Sequence, residues 1–171
     1  MSIYLVPRST HIQRVNEENE LAKLIKLRLM KYTRSRRLVN KSGLLLQMLP
    51  TGDIFATHDT FTFLDLQVIS IGANMIAFWG RESEKYLAVN EKGEVYASQQ
   101  ECRDCVFIEK FTPTYFNTYE TYHTVNKSIK KYLTLQSNGK VTTCAHASRD
   151  SMFYWEIPSS RRNSLAVYEN L

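Results

Sequence analysis

Cysteine is scarce in this sequence. Its three cysteines, Cys102, Cys105 and Cys144, are an odd number in a chain of 171 residues, which argues against a scaffold built on disulfides. Cys102 and Cys105 form one C-x-x-C motif without a second pair, and His123 and His146 show no ligand spacing relative to it. We therefore expect no metal or other cofactor, and a fold that rests on a hydrophobic core.

Long apolar segments are absent as well. No run approaches the roughly 20 apolar residues that a helix needs to cross a bilayer, so membrane insertion is not expected. Met1–Val6 is too short and interrupted for the apolar centre of a signal peptide. A secreted chain would then be a mature form or would use another export route. Two N-x-S sequons, at Asn40 and Asn126, would permit glycosylation of a secreted protein.

The sequence also lacks the residue arrangements of common enzyme mechanisms. His58, His123 and His146 fall in separate segments, and no Ser or Asp stands at a spacing that suggests a catalytic triad. There is no glycine-rich phosphate loop. We therefore expect no catalytic function.

Basic residues are concentrated near the start of the chain. Residues 1–41 hold ten Lys or Arg and three Glu, a formal charge of +7, whereas residues 42–171 hold twelve basic and fourteen acidic residues, a charge of −2. This distribution favours a polyanion contact at one end, for which nucleic acid, anionic lipid and sulfated glycan are candidates. Nucleic acid is disfavoured because Tyr32 is the only aromatic residue in the densest basic part that could stack on bases.

One pattern recurs three times, beginning at Leu45, Tyr86 and Tyr132, at spacings of 41 and then 46 residues. Each copy has two apolar residues two apart, a polar turn that ends in glycine, and an apolar residue that restarts the alternation. The turn glycines are Gly52, Gly93 and Gly139. The nine apolar positions are Leu46, Met48, Ile54, Leu87, Val89, Val95, Leu133, Leu135 and Val141.

Strand-like runs such as Phe61–Ile69 flank the copies, giving about four strands per repeat. Three repeats are too few for a β-propeller. The pattern therefore predicts an all-β fold, a β-trefoil of three four-stranded repeats over residues 27–158, with a β-sandwich as the alternative. Residues 1–26 are predicted to be a basic N-terminal extension, partly helical within Glu17–Lys31. Residues 159–171 are predicted to be a C-terminal tail.

The second repeat carries a more specific signature. It runs through Gly93–Ala97, Asp104–Glu109 and Asn117–Tyr119, and so contains C-x-F-x-E followed by N-T-Y. This arrangement resembles the signature of the fibroblast growth factor family, and weaker similarity extends over Leu29–Pro158. Phe116 stands where the family usually has Tyr, so the chain looks like a divergent member.

The resemblance implies a secreted, monomeric growth factor that binds the immunoglobulin-like domains of a fibroblast growth factor receptor tyrosine kinase and activates it. Glu109 is implied to accept hydrogen bonds from the receptor, although it could be only a solvated charge, and Asn117 could instead brace a turn. Glu109→Ala is expected to weaken binding with little effect on folding. The implied receptor-binding residues are Tyr32, Glu109, Phe116, Asn117, Tyr119 and Ile157. A glycan-binding β-trefoil lectin without receptor signalling is the rival hypothesis.

Heparan sulfate is the usual co-ligand of the family that the chain resembles. The third-repeat positions that normally bind it are mostly neutral here, which fits either dependence on a protein co-receptor or a displaced site. The segment Lys31–Leu44, interpreted as a lengthened loop, is rich in Arg, which suits sulfate; it could also be only a solvated basic loop. The candidate heparan sulfate-binding residues are Arg34, Arg36, Arg37, Lys41, Lys127, Lys130, Lys131, Lys140 and Arg149.

Overall fold

The computed structural model describes residues 11–29, 33–60 and 62–158. One α-helix precedes twelve β-strands in these ranges. The elements are α1 (His11–Leu29), β1 (Thr33–Asn40), β2 (Leu45–Met48), β3 (Ile54–Thr57), β4 (Leu66–Gly72), β5 (Met75–Gly80), β6 (Lys85–Val89), β7 (Val95–Ser98), β8 (Phe107–Phe111), β9 (Asn117–Thr121), β10 (Tyr132–Leu135), β11 (Val141–Cys144) and β12 (Phe153–Glu156). The strands divide into three sets of four, as the repeat pattern predicts.

Six of the strands close into a barrel. β1 pairs with β4, β4 with β5, β5 with β8, β8 with β9, and β9 with β12, which pairs again with β1. All of these pairings are antiparallel, and closure pairs every strand of the ring on both sides, which removes exposed sheet edges. The other strands form the hairpins β2–β3, β6–β7 and β10–β11. The prediction of a β-trefoil is confirmed.

The three hairpin turns have the same backbone conformation. Gly52, Gly93 and Gly139 have φ angles of +94°, +89° and +90°, a region that glycine occupies without the steric cost that a Cβ would bring. Each glycine N–H donates to the carbonyl oxygen three residues earlier, at 2.9 to 3.0 Å. The predicted glycine-ended turns are therefore present in all three repeats.

The main core draws on all three repeats. The six apolar residues that precede the turns are buried in a single cluster, and Ile54, Val95 and Val141 pack against it. Aromatic rings fill its centre, where Phe78 lies 5.1 Å from Tyr119 and 5.3 Å from Phe107, measured between ring centroids. Each buried side chain of this size stabilises the fold by roughly 1.5–3 kcal/mol. Because the three repeats share this core, they stabilise one another.

A second apolar cluster attaches the helix to the trefoil. Ile25 has no exposed surface and packs with Ile69, Ile71 and Val106, while Leu21 and other helix residues contact the same cluster. Their spacing of three and four residues places them on one helix face. The helix expected within Glu17–Lys31 therefore begins earlier, at His11, and is docked against the folded body. Met30 and Lys31 lie outside the described residues.

Candidate functional site

A groove of about 500 Å³ lies where the first strand, the helix end and β8 meet. Its lining includes Arg28, Arg34, Arg36, Glu109 and Trp155. Alternation along β1 places Arg34 and Arg36 on the same face of the strand. The groove therefore combines several guanidinium groups and one carboxylate with the ring of Trp155. Such a lining suits a partner surface that presents both hydrogen-bond acceptors, for the guanidinium groups, and hydrogen-bond donors, for the carboxylate.

Glu109 is held in place by a buried tyrosine. It lies opposite Tyr119 in the β8–β9 pair, and the Tyr119 hydroxyl donates to Glu109 Oε2 at 3.0 Å. Burial raises the pKa of Tyr119 well above its usual value, and the Glu109 carboxylate raises it further. Tyr119 has no exposed surface. The prediction that Tyr119 contacts a receptor is therefore corrected: it is a core residue that positions Glu109.

Four aromatic side chains form what we call the aromatic surface: Phe111, Tyr115, Phe116 and Tyr154. Phe111 and Tyr115 meet edge to face at 6.0 Å, and Phe116 meets Tyr154 at 6.3 Å. Phe111 and Tyr115 are 67% and 82% exposed. Large exposed aromatic side chains in one neighbourhood are typical of binding surfaces rather than of ordinary solvated loops.

The β8–β9 turn that carries Tyr115 has an unusual backbone. Tyr115 has a φ of +67°, which is uncommon for a residue that is not Gly, Asn or Asp. The turn is closed by hydrogen bonds from Thr112 N–H to Phe116 O at 2.7 Å and from Tyr115 N–H to Thr112 O at 3.1 Å. A strained residue that also exposes its ring is a candidate for function.

The other predicted receptor-binding residues are spread around this region. Asn117 begins β9, is partly buried, and pairs with Phe111 and Phe153. Ile157, just after β12, is 42% exposed. Tyr32 lies outside the described residues. Phe111, Tyr115 and Tyr154 of the aromatic surface were not predicted from the sequence. For Phe111 and Tyr115, rings on both sides of Pro113 were a usable signal.

The basic segment before Leu44 is a strand, which corrects the prediction of a lengthened loop. β1 covers Thr33–Asn40 and pairs with β4 and β12. Arg37 points to the face opposite Arg34 and Arg36, and its Nε lies 2.9 Å from Asp65 Oδ1. The predicted cluster of three arginines is therefore divided, and Arg37 is committed to an ion pair within the fold.

Lys41 does not join the arginines either. Its Nζ lies 5.1 Å from the centroid of the Phe116 ring, within the range of a cation–π contact. Because Phe116 belongs to the aromatic surface, Lys41 adds a positive charge there. Lys41 therefore lies beside a predicted receptor contact, and its role in binding sulfate stays a prediction.

The third-repeat lysines differ in their availability. Lys130 Nζ lies 3.1 Å from Oε1 of Glu120, a fully buried carboxylate, and donates to the carbonyl oxygens of Thr124 and Val125. Lys131 Nζ donates to Glu91 O at 3.1 Å. Lys110 Nζ also pairs with Glu120, at 3.3 Å from Oε2, so two lysines share this buried carboxylate. Lys130 is thus bonded within the fold, and its role as a sulfate ligand stays a prediction. Side chains of the remaining third-repeat candidates are exposed: Lys127, Lys140 and Arg149.

The two sequons have opposite environments. Asn40 has no exposed surface; its side chain donates to Leu135 O and accepts from the N–H groups of Ser42 and Leu44. A glycan cannot occupy this site in the folded protein, so the prediction for Asn40 is wrong. Asn126 is exposed, and glycosylation there stays a prediction.

Metal-binding clusters and membrane-spanning helices are absent from the described part of the chain. No three His, Cys, Asp or Glu side chains in residues 11–29, 33–60 and 62–158 are grouped so as to hold a metal ion. In the same ranges, no helix combines the length and apolar character needed to span a bilayer.

Comparison with known proteins connects this geometry to a family. The family model described as fibroblast growth factor matches residues 34–154, which includes all twelve strands except the start of β1 and the end of β12. The chain belongs to the fibroblast growth factor family. Members of this family are signalling growth factors and not enzymes, so the predictions of a divergent member and of a non-enzymatic protein are confirmed.

Individual relatives match only parts of the chain. Fibroblast growth factor 5 of Mus musculus is 30% identical over 100 residues, covering 57% of this chain and 38% of that protein. Fibroblast growth factor 3 of Danio rerio is 33% identical over 93 residues, covering 53% of this chain and 36% of the relative. Fibroblast growth factor 1 of Cynops pyrrhogaster is 25% identical over 122 residues, covering 70% of this chain and 81% of that protein. The chain thus spans little more than a third of the length of several relatives.

Proposed function

We propose that this chain is a secreted ligand that binds the extracellular immunoglobulin-like domains of a fibroblast growth factor receptor tyrosine kinase and activates it by bringing two receptors together. Membership of a growth factor family supports the proposal. The observation that carries it is the β8–β9 hairpin, which holds Glu109 in the groove on one strand and exposes Phe111 and Tyr115 around its turn.

The chemistry of this surface suits a protein partner. Buried aromatic anchors contribute most of the binding energy at many interfaces, and the aromatic surface offers four rings in adjacent pairs. Glu109 can accept hydrogen bonds from receptor N–H groups while the Tyr119 hydroxyl keeps it oriented. Because Glu109 is already ordered in the free protein, less conformational entropy is lost on binding.

Receptor activation is tested in cells that express one fibroblast growth factor receptor of the same organism. Purified protein should produce receptor tyrosine phosphorylation that rises with dose, and Glu109→Gln should shift the response to about tenfold higher concentration, since 1.4 kcal/mol of lost binding is a factor of ten. Lys92→Gln, which changes one exposed charge on the β6–β7 turn, is the matched control. Binding without phosphorylation would leave ligand recognition standing and overturn activation.

We also propose a co-ligand, either heparan sulfate or a protein co-receptor. Arg28, Arg34 and Arg36 in the groove support a sulfated glycan, because a planar guanidinium binds two sulfate oxygens at once. The commitment of Lys130 to Glu120 and of Arg37 to Asp65 supports reduced glycan affinity and thus a protein co-receptor. Capture by immobilised heparin without capture by any receptor ectodomain would favour the rival lectin function.

A further inference from the structure

A short 3-10 turn at Arg103–Cys105 brings the two cysteines of the C-x-x-C motif together. Cys102 Sγ and Cys105 Sγ are 3.5 Å apart, and the Cys105 N–H donates to Cys102 O at 3.0 Å. Side chains three residues apart eclipse one another in a 3-10 turn, so the spacing of the motif explains the contact. We propose that Cys102 and Cys105 are an oxidisable dithiol, a modification site at which an external disulfide converts both thiols into one intramolecular disulfide.

The two thiols have different environments and therefore different roles. Cys102 is partly exposed, whereas Cys105 is fully buried. The hydrogen bond from Cys105 lowers the pKa of Cys102 to about 6, with further help from the backbone N–H of Asp104. The same contact and burial raise the pKa of Cys105. Because thiolates attack disulfides, Cys102 is the attacking residue and Cys105 the resolving one.

Polar groups from three elements surround this pair. Ser98 Oγ on β7 lies 3.9 Å from Cys102 Sγ. The Tyr96 hydroxyl donates to Asp104 Oδ2, and Asp104 Oδ1 lies 2.5 Å from Nε2 of His123. The pKa of Asp104 is lowered, since its bonds to His123 and Tyr96 outweigh the effect of burial. Asp104 in the turn is thus held by Tyr96 on one side and by His123 on the other. These contacts keep the two sulfur atoms close together.

The reaction has two balanced steps. The Cys102 thiolate attacks one sulfur of a small external disulfide, forms a mixed disulfide and releases one thiolate. The Cys105 thiol then loses its proton, its sulfur attacks Cys102 Sγ, and the second external thiolate leaves. The protein loses two hydrogens and two electrons, and the external disulfide gains them as two thiols. Neither step requires the proposed receptor activity, so the two proposals can fail independently.

The position of the dithiol gives the disulfide a structural consequence. Cys102 and Cys105 belong to the second apolar cluster, on which Ile25 of α1 docks. Oxidation would covalently fix the turn beneath the helix and, with it, Asp104 between Tyr96 and His123. The redox state of the surroundings would therefore determine whether the turn under the N-terminal helix is cross-linked.

The test uses the purified full chain, first reduced and then incubated with oxidised glutathione. Intact mass should fall by two hydrogen atoms, and alkylation under denaturing conditions should label only Cys144. Cys144→Ser, the control thiol on β11, should show the same loss of two hydrogens and no alkylatable thiol. Cys102→Ser, which changes a partly exposed residue, should lose no hydrogens by this route. Cys105→Ser, if it folds, should retain glutathione on Cys102.

Three results would overturn the proposal. The wild-type protein could keep three alkylatable thiols after oxidation, or it could hold glutathione stably on Cys102 although Cys105 is present. Peptide mapping could also show a disulfide that involves Cys144. Because Cys102→Ser and Cys144→Ser do not alter the fully buried thiol, these comparisons remain interpretable even when Cys105→Ser does not fold.

Discussion

At the scale of single residues, Tyr115 combines an unfavourable backbone with an exposed ring. The left-handed region costs a non-glycine residue about 1–2 kcal/mol, and Asn tolerates it better. Tyr115→Asn should therefore raise the free energy of unfolding by about 0.5–1 kcal/mol while lowering receptor affinity by about 1–2 kcal/mol. Urea unfolding and titration against the receptor ectodomain measure the two effects. Unchanged receptor affinity would show that the ring has no binding role.

Glu109 requires two substitutions to separate binding from folding. Glu109→Ala leaves the buried Tyr119 hydroxyl without its acceptor and should cost about 1–3 kcal/mol of stability, which revises the expectation of little effect on folding. Glu109→Gln keeps an acceptor oxygen, so its stability should stay near that of the wild type while receptor affinity falls. Thermal unfolding and binding of both variants check this. Equal destabilisation by Ala and Gln would contradict the role given to the Tyr119 hydrogen bond.

Burial is the residue property that the sequence could not supply. Asn40 lies in an N-K-S tripeptide and Tyr119 in an N-T-Y motif, and both tripeptides have polar character. Asn40 is buried because β1 pairs with β12 and its amide closes the turn before Leu44; Tyr119 is buried because β9 turns that side chain into the barrel. Both outcomes depend on the register between distant strands, which is not encoded in the tripeptides themselves.

At the scale of elements, the docked helix provides a direct test of packing. Ile25 is fully buried and Leu27, two residues later on the same helix, is 57% exposed. Ile25→Ala should lower the free energy of unfolding by about 2–5 kcal/mol, whereas Leu27→Ala should change it by less than about 0.5 kcal/mol. Chemical denaturation of the full chain measures both. Small and similar changes in the free energy of unfolding for both variants would mean that packing of α1 contributes little to stability.

Local patterns predicted the hairpins well because each turn is decided by a few neighbouring residues. The strand predicted over Phe61–Ile69 was less accurate, since β4 begins only at Leu66. Phe63 has a φ of +60°, which interrupts an extended chain, and its carbonyl accepts from Met48 N–H at 3.0 Å. Leu64 is buried in a small separate cluster with Val39 and Leu45. The apolar residues of the loop before β4 therefore gave a strand-like pattern in the sequence.

At the scale of the whole molecule, the charge distribution predicts which basic residues contribute most to heparin binding. Arg34 and Arg36 share the groove, while Lys140 and Arg149 are exposed in the third repeat. Neutralising Arg34 and Arg36 together should lower the salt needed to elute the protein from heparin more than neutralising Lys140 and Arg149, because both pairs remove two charges but only the first belongs to the proposed displaced site. The reverse order would reject the displaced site.

The proposed receptor-binding surface consists of the aromatic surface and the Glu109 groove. The most direct measurement is the affinity of the purified chain for the immunoglobulin-like ectodomain of each fibroblast growth factor receptor of its own organism. Phe116→Ala is compared with Phe55→Ala, which removes a 45% exposed ring from the β2–β3 hairpin. We predict saturable binding that Phe116→Ala weakens at least about tenfold and Phe55→Ala leaves unchanged. No affinity for any receptor, or an equal loss of affinity in both variants, would rule out this surface as the receptor-binding site.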